Sequence, residues 1–214
     1  PPFHGTHHFA STVQKTGCGA TASLVVPPAF NLTSGIGRAF GKSSVTACGP
    51  TGSYDYASTE ETTGFDSFVI VVHAPTPQNF SLTGHFNVSW NLSATPMNPS
   101  GGPSAWATAA FDLFGRLYDV TNASVVISFA VYTLGITTNG TATGNVSSYF
   151  ANGFAYTATN FTKLTVAGHH YIFQFYSETV ETSYAPAGTG TSASARINLA
   201  TGGHLVKLNQ WSLS

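Results

Sequence analysis

A chain of 214 residues that is 42% hydrophobic has enough material for one large all-β domain with a real core. Charged residues make up only 7%, against a usual share of about 25%. The formal net charge of -1 argues against nucleic acid as a partner and against an acidic solvating tail. No run of about 18 apolar residues occurs, so no membrane-spanning helix is predicted.

The chain opens on "PPFHGTHHFASTVQ". At a period of two, Phe3, Gly5, His7, Phe9, Ser11 and Val13 fall on one side, and His4, Thr6, His8, Ala10, Thr12 and Gln14 on the other. That alternation predicts a strand-like extension over 1–16, ahead of a single domain over 17–214. The strand can pair within its own sheet or complete a sheet in a neighbour. In the second case Lys15-Thr16-Gly17 is the hinge, and the contact propagates into a filament because it does not close on itself.

Further strands are predicted at 20–26, ending at Pro27-Pro28, and at 43–48. The run 66–74 is almost continuously apolar and reads as a central strand. The clearest alternation is "NFSLTGHFNVSWNLS". There Phe80, Leu82, Phe86, Val88, Trp90 and Leu92 share one face, opposite Asn79, Asn87 and Asn91. A long Pro-rich loop over 94–105 leads to a strand at 105–120 with a bulge near Gly115. Strands follow at 124–134, 154–159, 163–167, 171–185, 192–200 and 204–214, with one short helical turn expected near 146–151. This succession predicts an all-β fold, a jelly-roll-like β-sandwich with an N-terminal strand-like extension.

Eight of the 12 asparagines begin an Asn-x-Ser/Thr sequon: Asn31, Asn79, Asn87, Asn91, Asn122, Asn139, Asn145 and Asn160. That is more than a Ser/Thr-rich chain produces by chance, and the motif is the acceptor for N-linked glycans, which places the chain outside the cell. The two cysteines, Cys18 and Cys48, fit the same compartment as a disulfide. A bridge closing that loop contributes about 3–4 kcal/mol in the chain-entropy view. No signal peptide is present, and the chain is expected to begin after its removal.

Chemistry-bearing motifs fail one by one. "GIGRAFGKSS" has the Gly41-Lys42-Ser43 of a phosphate loop, but Ile36 stands where its first glycine belongs and Phe40 where a dinucleotide fingerprint needs its third. It reads as a flexible turn. No Gly-x-Ser-x-Gly occurs. Glu178 and Glu181 lie at odd spacing on a strand and so face opposite ways, while Asp112 with Asp119 is the remaining pair for glycoside hydrolysis. His4 and His8 on a strand stand about 13 Å apart, too far for one ion. The remaining histidines, His7, His73, His85, His169, His170 and His204, read as polar aromatics on strands. No catalytic residue, metal or cofactor is predicted.

The all-β body, dense sequons, scarce charge and strand-like N-terminus together resemble archaeal surface-filament subunits of the thread or bundling-pilus type. The segment 168–214 also resembles the closing strands of secreted archaeal sandwich proteins. The chain departs from type IV pili and archaeal flagella in lacking their hydrophobic N-terminal helix. The resemblance implies a structural, non-enzymatic subunit at the cell surface, with a strand at 1–14 inserted into a groove of the next copy. Phe3, Phe9 and Val13 would be its anchors, with Cys18 and Cys48 as the staple. The alternative is a secreted carbohydrate-binding or adhesive module with exposed Tyr and Trp as platforms, its best loop being "TGSYDYAS" at 51–58.

Overall fold

The structure is a computed structural model. It describes residues 6–50, 52–70, 80–95, 104–139, 144–158, 166, 168–186 and 190–213. Eleven strands are described: β1 (Thr6–Thr16), β2 (Ala20–Asn31), β3 (Ile36–Thr46), β4 (Tyr54–Ile70), β5 (Phe80–Ala94), β6 (Trp106–Asp119), β7 (Ser124–Asn139), β8 (Gly144–Ala158), β9 (His170–Pro186), β10 (Ser192–Asn198) and β11 (Leu205–Leu213). All pairings among the described residues are antiparallel, and the two sheets pack face to face as a β-sandwich.

The first sheet runs β1-β4-β9-β6-β7. In the second, β2 pairs β3 at one side and β8 pairs β5 at the other. The space between β3 and β5 is filled by β10 and β11 laid end to end. Ile197 of β10 faces both Gly41 and Trp90, and Val206 of β11 faces both Gly37 and Phe86.

The interior has two characters. Toward β5 and β6 it is apolar: Leu82, Phe86, Leu92, Phe111, Leu113, Leu117, Phe173 and Phe175 are all buried. Each such side chain contributes roughly 1.5–3 kcal/mol. Toward β3 it is polar. Thr59, Glu61 and Thr63 of β4 lie beside Ser177, Thr179, Glu181 and Ser183 of β9, all buried. Small residues on the inner face of β3, Gly37, Ala39, Gly41 and Ser43, leave room for them. Ser43 Oγ meets Ser183 Oγ across the sandwich at 2.8 Å.

The alternation read in β5 places Leu82, Phe86, Val88, Trp90 and Leu92 in the core. The bulge near Gly115 is also found, with register shifts at Leu113/Phe114 and Leu117/Tyr118. Three expectations are corrected. Residues 36–42, read as a flexible turn, begin strand β3 and run into the strand expected from 43, their inner face being built from small residues that carry no hydrophobic signal. β2 continues through Pro27-Pro28 to Asn31 with two register shifts, which prolines permit on an edge strand. Residues 146–151 lie within β8 and form no helical turn.

Candidate functional site: the N-terminal strand and its root

β1 is the outer strand of the first sheet. It pairs with β4 from Thr6↔Asp66 to Thr16↔Tyr56 without a register shift. Phe9 stands opposite Thr63 and Val13 opposite Thr59. Residues directly opposite share a face, so Val13 sits on the core side of the sheet, yet it remains 45% exposed. Every residue from Ser11 to Thr16 is exposed, whichever face it occupies. Over this stretch the strand is held by its ladder of backbone hydrogen bonds and not by burial. Phe3 lies outside the described residues.

The root of β1 is tightly organised. The chain stays in the strand through Lys15 and Thr16 and turns at Gly17, so the direction changes one residue beyond most of the expected hinge. Gly17 has φ +95, and a Cβ there would stand 2.0 Å from Asp55 Oδ1. The positive φ already favours glycine, and the carboxylate leaves no space for a side chain. Cys18 and Cys48 form the expected disulfide, with Cα atoms 6.0 Å apart. Asp55, buried beside them, accepts the Gly19 N–H at 3.1 Å through Oδ1 and the Cys48 N–H at 2.9 Å through Oδ2. One carboxylate therefore clamps both sides of the bridge. Sequence reasoning passed over Asp55, whose odd position in "SYDYAS" is the signal that it points inward.

The sequons scatter. Asn31 is exposed at the β2–β3 turn, where its Oδ1 accepts the N–H groups of Thr33 and Ser34 at 2.9 and 3.0 Å. Asn122 is exposed on the β6–β7 turn. Asn87 and Asn91 lie half-buried on the outer face of β5, as the alternation requires. The Nδ2 of Asn87 donates to the Gly203 carbonyl at 3.4 Å and that of Asn91 to Ser147 Oγ at 2.6 Å. Asn139 ends β7 and Asn145 lies in β8. Asn79 and Asn160 lie outside the described residues.

The carboxylate pairs weighed from sequence do not meet. Glu178 faces outward and Glu181 inward, as their spacing required; Asp112 and Asp119, seven residues apart on β6, also take opposite faces. Asp119 instead binds His169 Nδ1 at 2.7 Å and accepts the N–H groups of Thr121 and Asn122. Burial pushes its carboxyl up, but these partners outweigh that and hold it below the usual range. The pair that does meet was not foreseen: Glu61 and Glu181, both 0% exposed. The adjacent Glu60-Glu61 in a strand was its only signal, since one of two neighbours must face the interior.

No family model matches the chain, and no curated protein matches it. Among solved structures it is similar to the enzymatically active domain of tailspike protein 4 of bacteriophage CBA120, at 15% identity and TM-score 0.20, over 95% of this chain and 19% of that one. It is also similar to the VP2 subviral particle of infectious bursal disease virus, at 10% identity and TM-score 0.15, over 96% of this chain and 40% of that one. The chain thus spans about a fifth of the tailspike chain, and likeness at this level carries no argument about function.

Proposed function

We propose that this protein is a structural subunit of a glycosylated extracellular filament or surface appendage, polymerising by exchange of its N-terminal strand. β1 of one copy leaves its own β4 and pairs with β4 of the next. The observation that carries this reading is the mismatch in β1: an unbroken ladder to β4 with Ser11–Thr16 exposed throughout. A strand held in this way can form the same ladder on a neighbour with little packing lost. The disulfide fits an oxidising compartment, and Asn31 and Asn122 are the sequons best placed to carry glycans. The disulfide and the Asp55 clamp fix the point from which the strand departs.

One observation favours the adhesive reading. Tyr184 stacks between Tyr54 and Trp106, with centroids 5.7 and 5.5 Å apart, and Tyr54 is 51% exposed. This aromatic row includes a tyrosine of the loop predicted as a platform, although Tyr54 and Tyr56 lie in β4 and not in a loop.

Mixed cross-linking separates the two. Gln14 is directly opposite Ser58 in the β1–β4 register. A Gln14→Cys chain is mixed with a Ser58→Cys chain, treated with a short thiol cross-linker and imaged by electron microscopy. Cross-links between chains together with regular fibres support strand exchange. Dispersed monomers, with cross-links only in a chain carrying both substitutions, overturn it and leave the adhesive module.

A further inference from the structure

We infer that the outer face of the second sheet binds an acidic saccharide, in the groove between Arg196, Tyr149 and Asn91. This gives the adhesive reading its ligand class and so rests on that reading. It does not depend on strand exchange, because β1 belongs to the other sheet.

All eight carboxylates of the sequence lie on strands of the first sheet: Asp55, Glu60, Glu61 and Asp66 on β4, Asp112 and Asp119 on β6, and Glu178 and Glu181 on β9. The second sheet carries Arg38 and Lys42 on β3, Arg196 on β10 and Lys207 on β11. A nearly neutral chain thus holds one sheet with cations and no carboxylate of its own. Lys42 and Arg196 stand directly opposite one another in the β3–β10 register, and both are exposed. Like charges so placed destabilise a strand pair, and an anion seated between them removes the repulsion.

The groove's shape and its other side chains narrow the anion. It has a volume of about 540 Å³ and crosses β3, β10, β5 and β8, with Phe40, Asn91, Tyr149, Arg196 and Asn198 among its walls. Tyr149 is 59% exposed, its ring 5.6 Å from that of His204, so one aromatic surface is offered to a ligand beside the cations. Arg196 faces Asn91 on its other side, and Ser89, Ser147 and Thr201 add hydroxyls. A charged group for the guanidinium fork, an apolar ring face for Tyr149 and several hydroxyls describe a uronate- or sulfate-bearing sugar. Nucleic acid fits less well, since it draws its affinity from many phosphate contacts and this groove holds one cation, Arg196, with Lys42 opposite it on the neighbouring strand. Asn91 is itself a sequon residue. The nitrogen that would carry a glycan is bound to Ser147 at 2.6 Å, and the inference requires Asn91 to be free of glycan.

The test is calorimetric titration of the full chain with an oligogalacturonate, a neutral malto-oligosaccharide and a short single-stranded DNA. The expected result is binding of the oligogalacturonate alone, weakened by added salt. Arg196→Ala should weaken it about tenfold, the loss of one charged hydrogen bond. Tyr149→Ala should weaken it as well, while Lys15→Ala on β1 leaves it unchanged. The absence of oligogalacturonate binding, equal binding of DNA, indifference to Arg196→Ala, or a glycan found on Asn91 by mass spectrometry of the native protein would each overturn the inference. Neither these results nor their failure bears on whether β1 cross-links between chains.

Discussion

Glu61 and Glu181 stand diagonally across the β4–β9 pair, each bound by the threonine directly opposite it. Thr179 faces Glu61 and donates to its Oε2 at 2.5 Å; Thr59 faces Glu181 and donates to its Oε2 at 2.5 Å. The Oε1 atoms of both are buried, and no donor reaches either among the described residues. β3, packed above them, presents Gly41, while its cations Arg38 and Lys42 are exposed. Glu60, the neighbour of Glu61, is exposed and adds only negative charge. With no cation among the described residues to balance it, the buried pair favours holding protons.

The pH dependence follows from that. Burial, only partly offset by Thr179 and Glu181, pushes Glu61 from 4.5 up to about 7. Burial and then the charge of Glu61 push Glu181 well above the ordinary range. The folded state therefore keeps protons that the unfolded chain releases above about 4.5. Stability from the pair is complete below that pH and is lost as pH rises through 7, on the order of 3 kcal/mol for Glu61 alone. Urea midpoints are expected to fall from pH 4 to pH 8. A rising midpoint, or loss of β-sheet circular dichroism by pH 3, would refute the assignment. A chain with few carboxylates has little stability to lose to acid, and the buried pair adds to that tolerance.

Glu181→Gln isolates the effect. The amide fills the same volume and cannot ionise, so the part of the stability loss between pH 5 and 8 that belongs to Glu181 should vanish, leaving the part that belongs to Glu61. The variant should exceed the parent at pH 8 by about 1–3 kcal/mol, since an unpaired buried charge is what it removes. A parallel, uniformly lower curve would mean that Glu181 acts through shape alone.

Much of the fold was legible because half-buried strands alternate and β5 alternates cleanly. The polar half of the interior was not. Its inward residues are Thr, Ser and Glu on β4 and β9, facing Gly and Ala on β3, so residues that pack inside look like residues that face water. The same reason turned the start of β3 into an apparent turn. Cys18 and Cys48 could be paired by counting, whereas Asp55 between them could not be foreseen without the fold. The segregation of charge was equally hidden: a net charge of -1 averages over two sheets, and only strand order shows that the second carries no carboxylate.

Asp119 works in the opposite direction from the glutamates. Held below its usual range by His169 and two backbone N–H groups despite its burial, it contributes stability above the unfolded pKa that disappears as pH falls through its folded value. Asp119→Asn should lower stability by a near-constant amount above about pH 4, with the difference from the parent shrinking in acid and the loss near pH 7 left in place. A difference that persists undiminished down to about pH 2 would contradict this separation.

The disulfide ties the root of β1 to the body. Replacing Cys18 and Cys48 together by Ser removes a loop constraint of about 3–4 kcal/mol, to be read from urea unfolding. It also loosens the end of β1 that Asp55 clamps, so amide exchange at Lys15 and Thr16 should accelerate more than in β5. Uniform acceleration throughout the chain would mean that the bridge stabilises globally without anchoring the strand.

Gly41 tests whether the two sheets need their present spacing above the carboxyl pair. A Cβ at this position would stand 2.0 Å from Glu61 Oε1, 2.6 Å from Thr59 Oγ1 and 2.7 Å from Glu181 Oε2. Their residues are buried, and Thr59 Oγ1 and Glu181 Oε2 are hydrogen-bonded to each other, so none can swing into solvent. Gly41→Ala should therefore destabilise by about 1–3 kcal/mol, the usual cost of overpacking a filled interior. Gly135 on β7, where an added Cβ meets nothing within 4 Å, is the matched control, and Gly135→Ala should change stability far less. Because the added methyl crowds the carboxyls directly, combining Gly41→Ala with Glu181→Gln should give a non-additive result. Strict additivity would show that the strand, and not the acid pair beneath it, absorbs the strain.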